Sequence, residues 1–371
     1  MGEDARAWAE IDVGALARNF RAIRARAQGR RVIAVVKANG YGHGAALCAR
    51  SLVAEGCQAF AVIGVGEAEE LRAAGVRAPL LVLGGPVAPA DADRLLELDA
   101  DAVISRPEVV DWLDAAGARA GRAARVQLEL DTGMGRLGVV PAELEPMLAR
   151  LTRAKHVELA GVMSHLACAD DAGSAETARQ RALFAELVAK VRGAGFTPDW
   201  VHLDNSAGIA RGCTPESDAV RPGIWLYGVD PTLEGGHALE PVMSLCARVV
   251  HAKTVAAGTP IGYAAAFRAP ERLRILTLAV GYADGLPRAA GGGRVSVGVA
   301  GRRAPVVGRV SCDLTTVAVP ADDATRPGDV ALVFGRRGGL AVPVEELARA
   351  VGTISYEILV RIGPRVPRIA T

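Results

Sequence analysis

Eight short apolar runs, rich in β-branched residues and separated by stretches of helical period, constrain this 371-residue chain more than any other feature. They occupy 32–36, 59–63, 80–83, 102–104, 126–130, 160–163, 201–203 and 224–226, with helical segments such as 44–55, 67–74 and 178–195 between them. Strands that are apolar along their whole length belong to a parallel sheet covered by helices on both faces. Eight of them predict an α/β fold with an N-terminal (β/α)8 barrel of the TIM type, which takes about 250 residues. An open, doubly wound sheet is the competing arrangement, but no GxGxxG fingerprint follows the first strand to favour it.

The pattern changes near Pro241. Segments 244–256, 274–280, 294–299, 302–307 and 315–319 follow one another with Gly and Pro turns between them. That pattern predicts a separate, mainly β C-terminal domain. The expected organisation is therefore a barrel over 1–240 and a β domain over 241–371. No Gly/Ser linker separates them, so they are expected to pack firmly together.

Composition sets the functional classes aside. Basic and acidic residues nearly balance, at 43 against 41, which gives no reason to expect nucleic acid or a membrane surface as a partner. No apolar run approaches the roughly 20 residues that span a bilayer, and the N-terminus has no signal-peptide core. The six cysteines are scattered, without a CxxC or His-Cys cluster, so neither a metal site nor a disulfide framework is expected. The expectation is a soluble, cytoplasmic protein acting on a small molecule.

Only four of the 43 basic residues are lysine: Lys37, Lys155, Lys190 and Lys253. Lys155 and Lys190 lie in polar helical stretches and Lys253 near a turn, whereas Lys37 ends the apolar run of the first strand. An amine at a barrel strand end can be held partly neutral by desolvation and form a Schiff base with an aldehyde. Arginine cannot, because it stays protonated. On position alone, a lysine whose stem merely packs along apolar surface is an equal reading. The five tyrosines, at 41, 227, 263, 282 and 356, all lie in Gly-, Pro- or Asp-rich stretches, where a hydroxyl is of more use than bulk. For Tyr227 a purely structural place is the better reading.

The polar residues at the other strand ends complete a pattern. They are Arg136 in 131–138, His165 after the sixth strand, Asn205 and Ser206 after the seventh, and Arg221 in 221–228. Together with Lys37 to Gly44, the Gly281-Tyr282-Ala283-Asp284-Gly285 run, Gly308-Arg309-Val310, and the stretch from Ile354 through Tyr356 to Arg365, these resemble the motifs of alanine racemases. They occur in that family's order and span both domains.

The resemblance implies a head-to-tail homodimer with shared active sites and pyridoxal 5'-phosphate as cofactor. Lys37 would carry the cofactor, and its phosphate would be held by Tyr41, Ser206, Tyr356 and the backbone N–H groups of Gly223 and Ile224. Arg221 would face the pyridine nitrogen; a guanidinium has no acceptor, so that nitrogen stays unprotonated and transamination is disfavoured. Lys37 and Tyr263, the latter from the other subunit, would be the two bases. A phenol ordinarily titrates near pH ~10, so Tyr263 would need a positive chain beside it, which His165 would supply by bridging to Arg221. Arg136, Cys312 (through its backbone N–H), Asp313 and Tyr282 would line the path of the amino-acid substrate.

Two positions depart from the family. Glu129 stands where the family commonly has a carbamylated lysine, and is expected to replace that carbamate's single negative charge beside Arg136. Cys312 stands where methionine is usual. With the Ala264-Ala265-Ala266 run, it leaves a serine or broad-specificity racemase open beside an alanine racemase. A non-enzymatic pyridoxal-phosphate-binding protein is the alternative of another class. Such proteins resemble the barrel alone, and this chain adds the β domain and Tyr263.

Overall fold

The computed structural model describes residues 5–232 and 239–371. Eight parallel strands form one sheet, beginning with Arg31–Val35, Ala59–Val62, Leu80–Val82 and Asp101–Ile104. It continues through Ala124–Glu129, Val157–Met163, Trp200–His202 and Ala219–Val220, the last of which pairs back with Arg31–Val35. Backbone bonds from Asp218 to Val201 (2.8 Å) and from Arg221 to Asp204 (2.9 Å) join the seventh and eighth strands and close the ring. Near-complete burial explains why most of these runs are apolar throughout: their other face lies under helices such as Ala45–Ala54 and Pro107–Ala120, and Ala124–Glu129 alone alternates, turning Arg125, Gln127 and Glu129 to the barrel interior and its mouths.

The eighth strand corrects the sequence reading. It is the two-residue Ala219–Val220, and the apolar run expected as a strand at 224–226 is a 3-10 helix, Ile224–Tyr227. The Pro222-Gly223 pair ends strand pairing, since Pro222 has no N–H to donate to a ladder.

The second sheet has nine strands, six of which close on themselves. Val330–Arg337, Ser296–Val299, Arg302–Val307, Thr315–Pro320, Leu273–Leu278 and Met243–Val255 follow in order, and the last pairs again with the first. Four of its strands were unforeseen in the sequence: Val330–Arg337, Leu340–Val342 at one edge, and two from the chain's ends. Ala7–Ile11, inside the segment expected to form the barrel, runs antiparallel to Met243–Val255, and Arg368–Ala370 lies parallel to Ala7–Ile11. The β sheet thus takes strands from both sides of the barrel segment. One continuous apolar core runs through both parts. Among the described residues, no helix is long and apolar enough to cross a membrane.

Candidate active site

Lys37 follows Arg31–Val35 and is immediately succeeded by a left-handed turn. Ala38, Asn39, Gly40 and Tyr41 all have φ between 50° and 63°. For L residues such a turn costs roughly 1–2 kcal/mol each, so it persists only where its surroundings over-determine it. They do. Gly40 and Gly42 donate to Val36 (2.8 Å) and Ala38 (2.9 Å), and the Ala38 N–H donates to Glu67 Oε1 at 2.7 Å. The other Glu67 oxygen accepts from Ile63 N–H at 2.8 Å, tying the turn to the second strand. The Asn39 side chain accepts from Ala45 N–H at 2.9 Å, and His43 Nδ1 lies 3.0 Å from both the Gly40 and Tyr41 carbonyls.

This turn aims the lysine and the tyrosine in different directions. Lys37 is half-buried; burial, then the charges of Arg136 and Arg221, hold its ammonium below the ordinary lysine range, opposed by Glu67. Tyr41 is buried against Tyr227 and Tyr356, with ring centroids at 5.2 and 6.1 Å. A Cβ on Gly223 would stand 2.5 Å from the Tyr41 hydroxyl, so that glycine leaves the space the phenol occupies. The Ser206 hydroxyl accepts from Gly223 N–H at 2.9 Å. The Gly223 N–H, expected on the phosphate, is therefore engaged within the protein, while Ile224 begins the helical turn, where N–H groups lack intrahelical acceptors.

Arg221 lies beneath, fully buried. Its Nη1 donates to His202 Nδ1 (2.5 Å) and to the His202 carbonyl (2.9 Å). Its Nη2 donates to the Ser164 carbonyl (2.5 Å), with the Leu203 carbonyl and His165 Nδ1 each at 3.3 Å. That leaves the Nε–H without an acceptor among the described residues. Burial pushes the guanidinium down to about 10, against the pull of Glu129 and Asp204, so it is still a cation at neutral pH. His165 is pushed down to about 3, by burial first and then by Arg221, Arg136 and Lys37, so its ring is neutral. Its Nε2 faces the Asn205 amide at 3.4 Å.

Glu129 is buried, and burial raises its carboxyl against the lowering charges of Arg221 and Arg136. Arg136 is exposed in the loop after the fifth strand. The two are coupled by charge, without a direct hydrogen bond among the described contacts.

The remaining expected residues gather on the β domain. Tyr263 is 69% exposed and Tyr282 48%. The Tyr282 phenol is raised chiefly by the neighbouring Cys312, then by burial and by Tyr263. Arg365 donates to Asp313 and to Asp284, each at 2.7 Å, and holds the Asp313 carboxyl below its usual range. Among the described residues no hydrogen bond joins Tyr263 to Lys37 or to His165, so the expected His165–Tyr263 bridge is not formed within one chain. Tyr227 is core: its hydroxyl donates to the Val35 carbonyl (3.2 Å) and its ring stacks on His43 at 4.4 Å. Sequence reasoning missed Glu67, His43 and His202. Of these, only His202, a polar residue ending a buried strand, carried a usable signal.

The donor set suits pyridoxal 5'-phosphate. A depressed amine can condense with its aldehyde, hydroxyls of Tyr41, Ser206 and Tyr356 with the Ile224 N–H can hold its phosphate, and the spare Nε–H of Arg221 can meet its ring nitrogen.

Comparison with known proteins agrees with this geometry. Residues 11–231 match the family described as alanine racemase, N-terminal domain, and 242–370 the alanine racemase C-terminal domain. A curated relative from Symbiobacterium thermophilum named alanine racemase is 40% identical over 363 residues, covering 97% of this chain and 96% of its own. The alanine racemase structure from Streptomyces lavendulae superposes with TM-score 0.94 at 36% identity, covering 99% of this chain and 97% of that one. That from Bartonella henselae, described with covalently bound pyridoxal phosphate, superposes with TM-score 0.88 at 30% identity, covering 99% of this chain and all of its own. With the N-terminal family matched over 11–231, the C-terminal family over 242–370, and the lysine turn and buried arginine in one barrel mouth, the chain belongs to the alanine racemase family.

Proposed function

We propose that this protein interconverts L- and D-alanine, using pyridoxal 5'-phosphate held on Lys37 and a second base, Tyr263 of the partner subunit, in a homodimer. The observation that carries the reading is the depressed Lys37 amine above a buried Arg221 whose Nε–H alone is free. The bound cofactor would acidify the substrate Cα–H by delocalising the electron pair left behind. Every other element is the chain's own. Lys37, its amine held below the ordinary lysine range, takes a proton from Cα on one face or returns one to it. Arg221 keeps the ring nitrogen unprotonated, since a guanidinium can only donate, and so limits protonation at the wrong carbon. Arg136 stands exposed beside Lys37 and Glu129, where its fork can take the substrate carboxylate.

Tyr263 supplies the argument for the dimer. Tyr263 is 69% exposed on the β domain with no hydrogen bond to Lys37 among the described residues, which leaves its phenol open to the barrel mouth of a second copy. Opposite faces of a planar intermediate need bases on opposite sides, which two subunits provide.

A serine or broader racemase is favoured by one observation: Cys312 is exposed beside Tyr282, and its side chain is shorter than methionine. The test is racemisation in D₂O by the purified holoenzyme, with L-alanine and L-serine in parallel. D-alanine deuterated at Cα, and lost in Lys37→Ala, supports the proposal. Faster serine turnover changes the substrate and keeps the mechanism. No exchange with either, despite bound cofactor, refutes it.

A further inference from the structure

The barrel interior holds a chain of buried polar side chains that the racemase reading does not use. From Arg221 it runs through His202 Nδ1 (2.5 Å), and from His202 Nε2 to Gln127 Oε1 (2.7 Å). Gln127 Nε2 then donates to Asp101 Oδ2 (2.9 Å), and Arg125 closes the chain on Asp101 Oδ1 (3.2 Å) and Glu158 (2.6 Å) at the opposite mouth of the barrel. His202 and Gln127 are both buried.

Donor chemistry fixes the direction of every bond. A carboxylate accepts only, so the Gln127 amide must turn its NH₂ toward Asp101 and its oxygen toward His202. That oxygen needs a donor, so His202 carries its proton on Nε2. Nδ1 is then the acceptor that a guanidinium requires. Burial and the charges of Arg221 and Arg31 keep the His202 ring neutral.

A second observation shows that the barrel makes room for this chain. Gln127, on Ala124–Glu129, reaches His202 on Trp200–His202 across the intervening strand Val157–Met163. It crosses at Gly161, its register partner next to a β-bulge. A Cβ on Gly161 would stand 2.8 Å from Gln127 Cδ and 2.9 Å from Oε1, yet Gly161 has no left-handed φ that would call for glycine. Its missing side chain is a matter of space for Gln127.

We propose that Gln127 is a positioning residue for the racemase reaction, acting through His202 to hold Arg221 with its Nε–H turned to the cofactor ring, and that Gly161 exists to seat it. Gln127 touches neither substrate nor cofactor. As a neutral amide between Asp101 and His202 it passes on the orientation of a carboxylate without a charge that would protonate the histidine. The proposal rests on the reading of Lys37 and Arg221 above.

The first measurement needs no turnover. Nitrogen-15 spectra of the histidines in the holoenzyme, with the His202 signals assigned by loss in His202→Gln, are expected to show Nε2 protonated and Nδ1 bare. A doubly protonated ring, or a proton on Nδ1, would overturn the relay whatever the enzyme's substrate. The second is a double-mutant cycle. Gln127→Met and Gly161→Ala are each expected to raise the Kd for pyridoxal 5'-phosphate and lower kcat on the order of tenfold, with KM nearly unchanged, as removal of outer partners of site histidines does. The combined variant is expected to be no worse than Gln127→Met, because Gly161 matters only through Gln127. Additive losses, or a Gln127→Met enzyme with Kd and kcat within twofold of the parent, would refute the proposal. Should Gln127→Met fail to fold, Gly161→Ala and the spectra of the unaltered holoenzyme decide it alone.

Discussion

Gly42 joins the lysine turn to the β domain, and its substitution by alanine has a calculable consequence. Its φ is 85°, and a Cβ there would stand 2.1 Å from the Leu359 carbonyl oxygen and 2.9 Å from its carbon. Leu359 belongs to the helix Ser355–Val360, which carries Tyr356 beside Tyr41. Two costs combine. An L side chain at this φ costs about 1–2 kcal/mol, and separating a backbone contact this short costs about 1–3 kcal/mol more, as overpacking does. Gly75 isolates the first cost, since it has the same φ of 85° and nothing within 4 Å of its Cβ. Gly75→Ala should therefore lose about 1–2 kcal/mol by urea unfolding of the apoprotein, and Gly42→Ala about 2–5 kcal/mol. Gly42→Ala should also weaken cofactor binding, because the displaced helix draws Tyr356 away from Tyr41. Gly75 lies far along the chain, after the helix Val65–Ala73, and its variant should bind the cofactor normally. If the two variants unfold at the same urea concentration with the same cofactor affinity, the Leu359 contact does not hold the site together.

Lys37→Arg keeps a positive charge that cannot be shed, and is expected to abolish racemisation and the cofactor's covalent absorption band. Because burial lowers the Lys37 ammonium, the unfolded chain holds more of that proton between its folded range and pH 10.5. Apoprotein stability relative to Lys37→Met should therefore rise with pH across that window; a flat difference would refute the desolvated amine. The buried thiols act oppositely. Cys48 and Cys246 are pushed up from 9.0 to about 12 and Cys57 to about 11, chiefly by burial. Their contribution is complete below pH 9 and lost as pH rises toward 11–12, so Cys48→Ala should lessen the alkaline loss of stability followed by urea unfolding. Glu129 already carries a fixed carboxyl near Arg136 and Arg221, so activity should not change when bicarbonate is removed and restored. Bicarbonate dependence would mean that a carbamate is still required.

The parts of the fold that could be read from the chain were those in which one physical demand dominated. Seven barrel strands are buried on both sides, so most of their residues are apolar, and their ends fell within a few residues of expectation. The eighth misled because apolarity alone does not distinguish a strand from a buried turn. Ile224–Tyr227 is as buried as any strand, but Pro222 and the Gly223 N–H bond to Ser206 take it out of the sheet. Ala7–Ile11 and Arg368–Ala370 were illegible for another reason: a short edge pairing between chain ends depends on partners more than 230 residues away. The site divides in the same manner. Lys37 stood out because an aldehyde-binding amine cannot be replaced by the arginine this chain otherwise prefers. Glu67 and Gln127 did not, because a glutamate in a helix and a glutamine in a strand acquire their roles only from neighbours brought in by the barrel.

That division bears on how the site keeps its chemistry. Lys37, Arg136 and Arg221 bring three cationic groups to one barrel mouth; the two arginines lower the proton affinity of Lys37, and all three lower that of His165. Of the nearby carboxyls, Glu67 is committed to backbone N–H groups and Glu129 is buried, so neither closes a direct ion pair with Lys37. An excess of fixed positive charge over a desolvated amine favours its neutral form, which is the form a base requires. It also favours anions, such as a phosphate or a carboxylate, at this mouth. A variant that removes one of these charges, Arg136→Gln, should restore proton affinity to Lys37 and shift the acidic limb of the pH profile upward. An unshifted limb would mean that desolvation alone sets the amine.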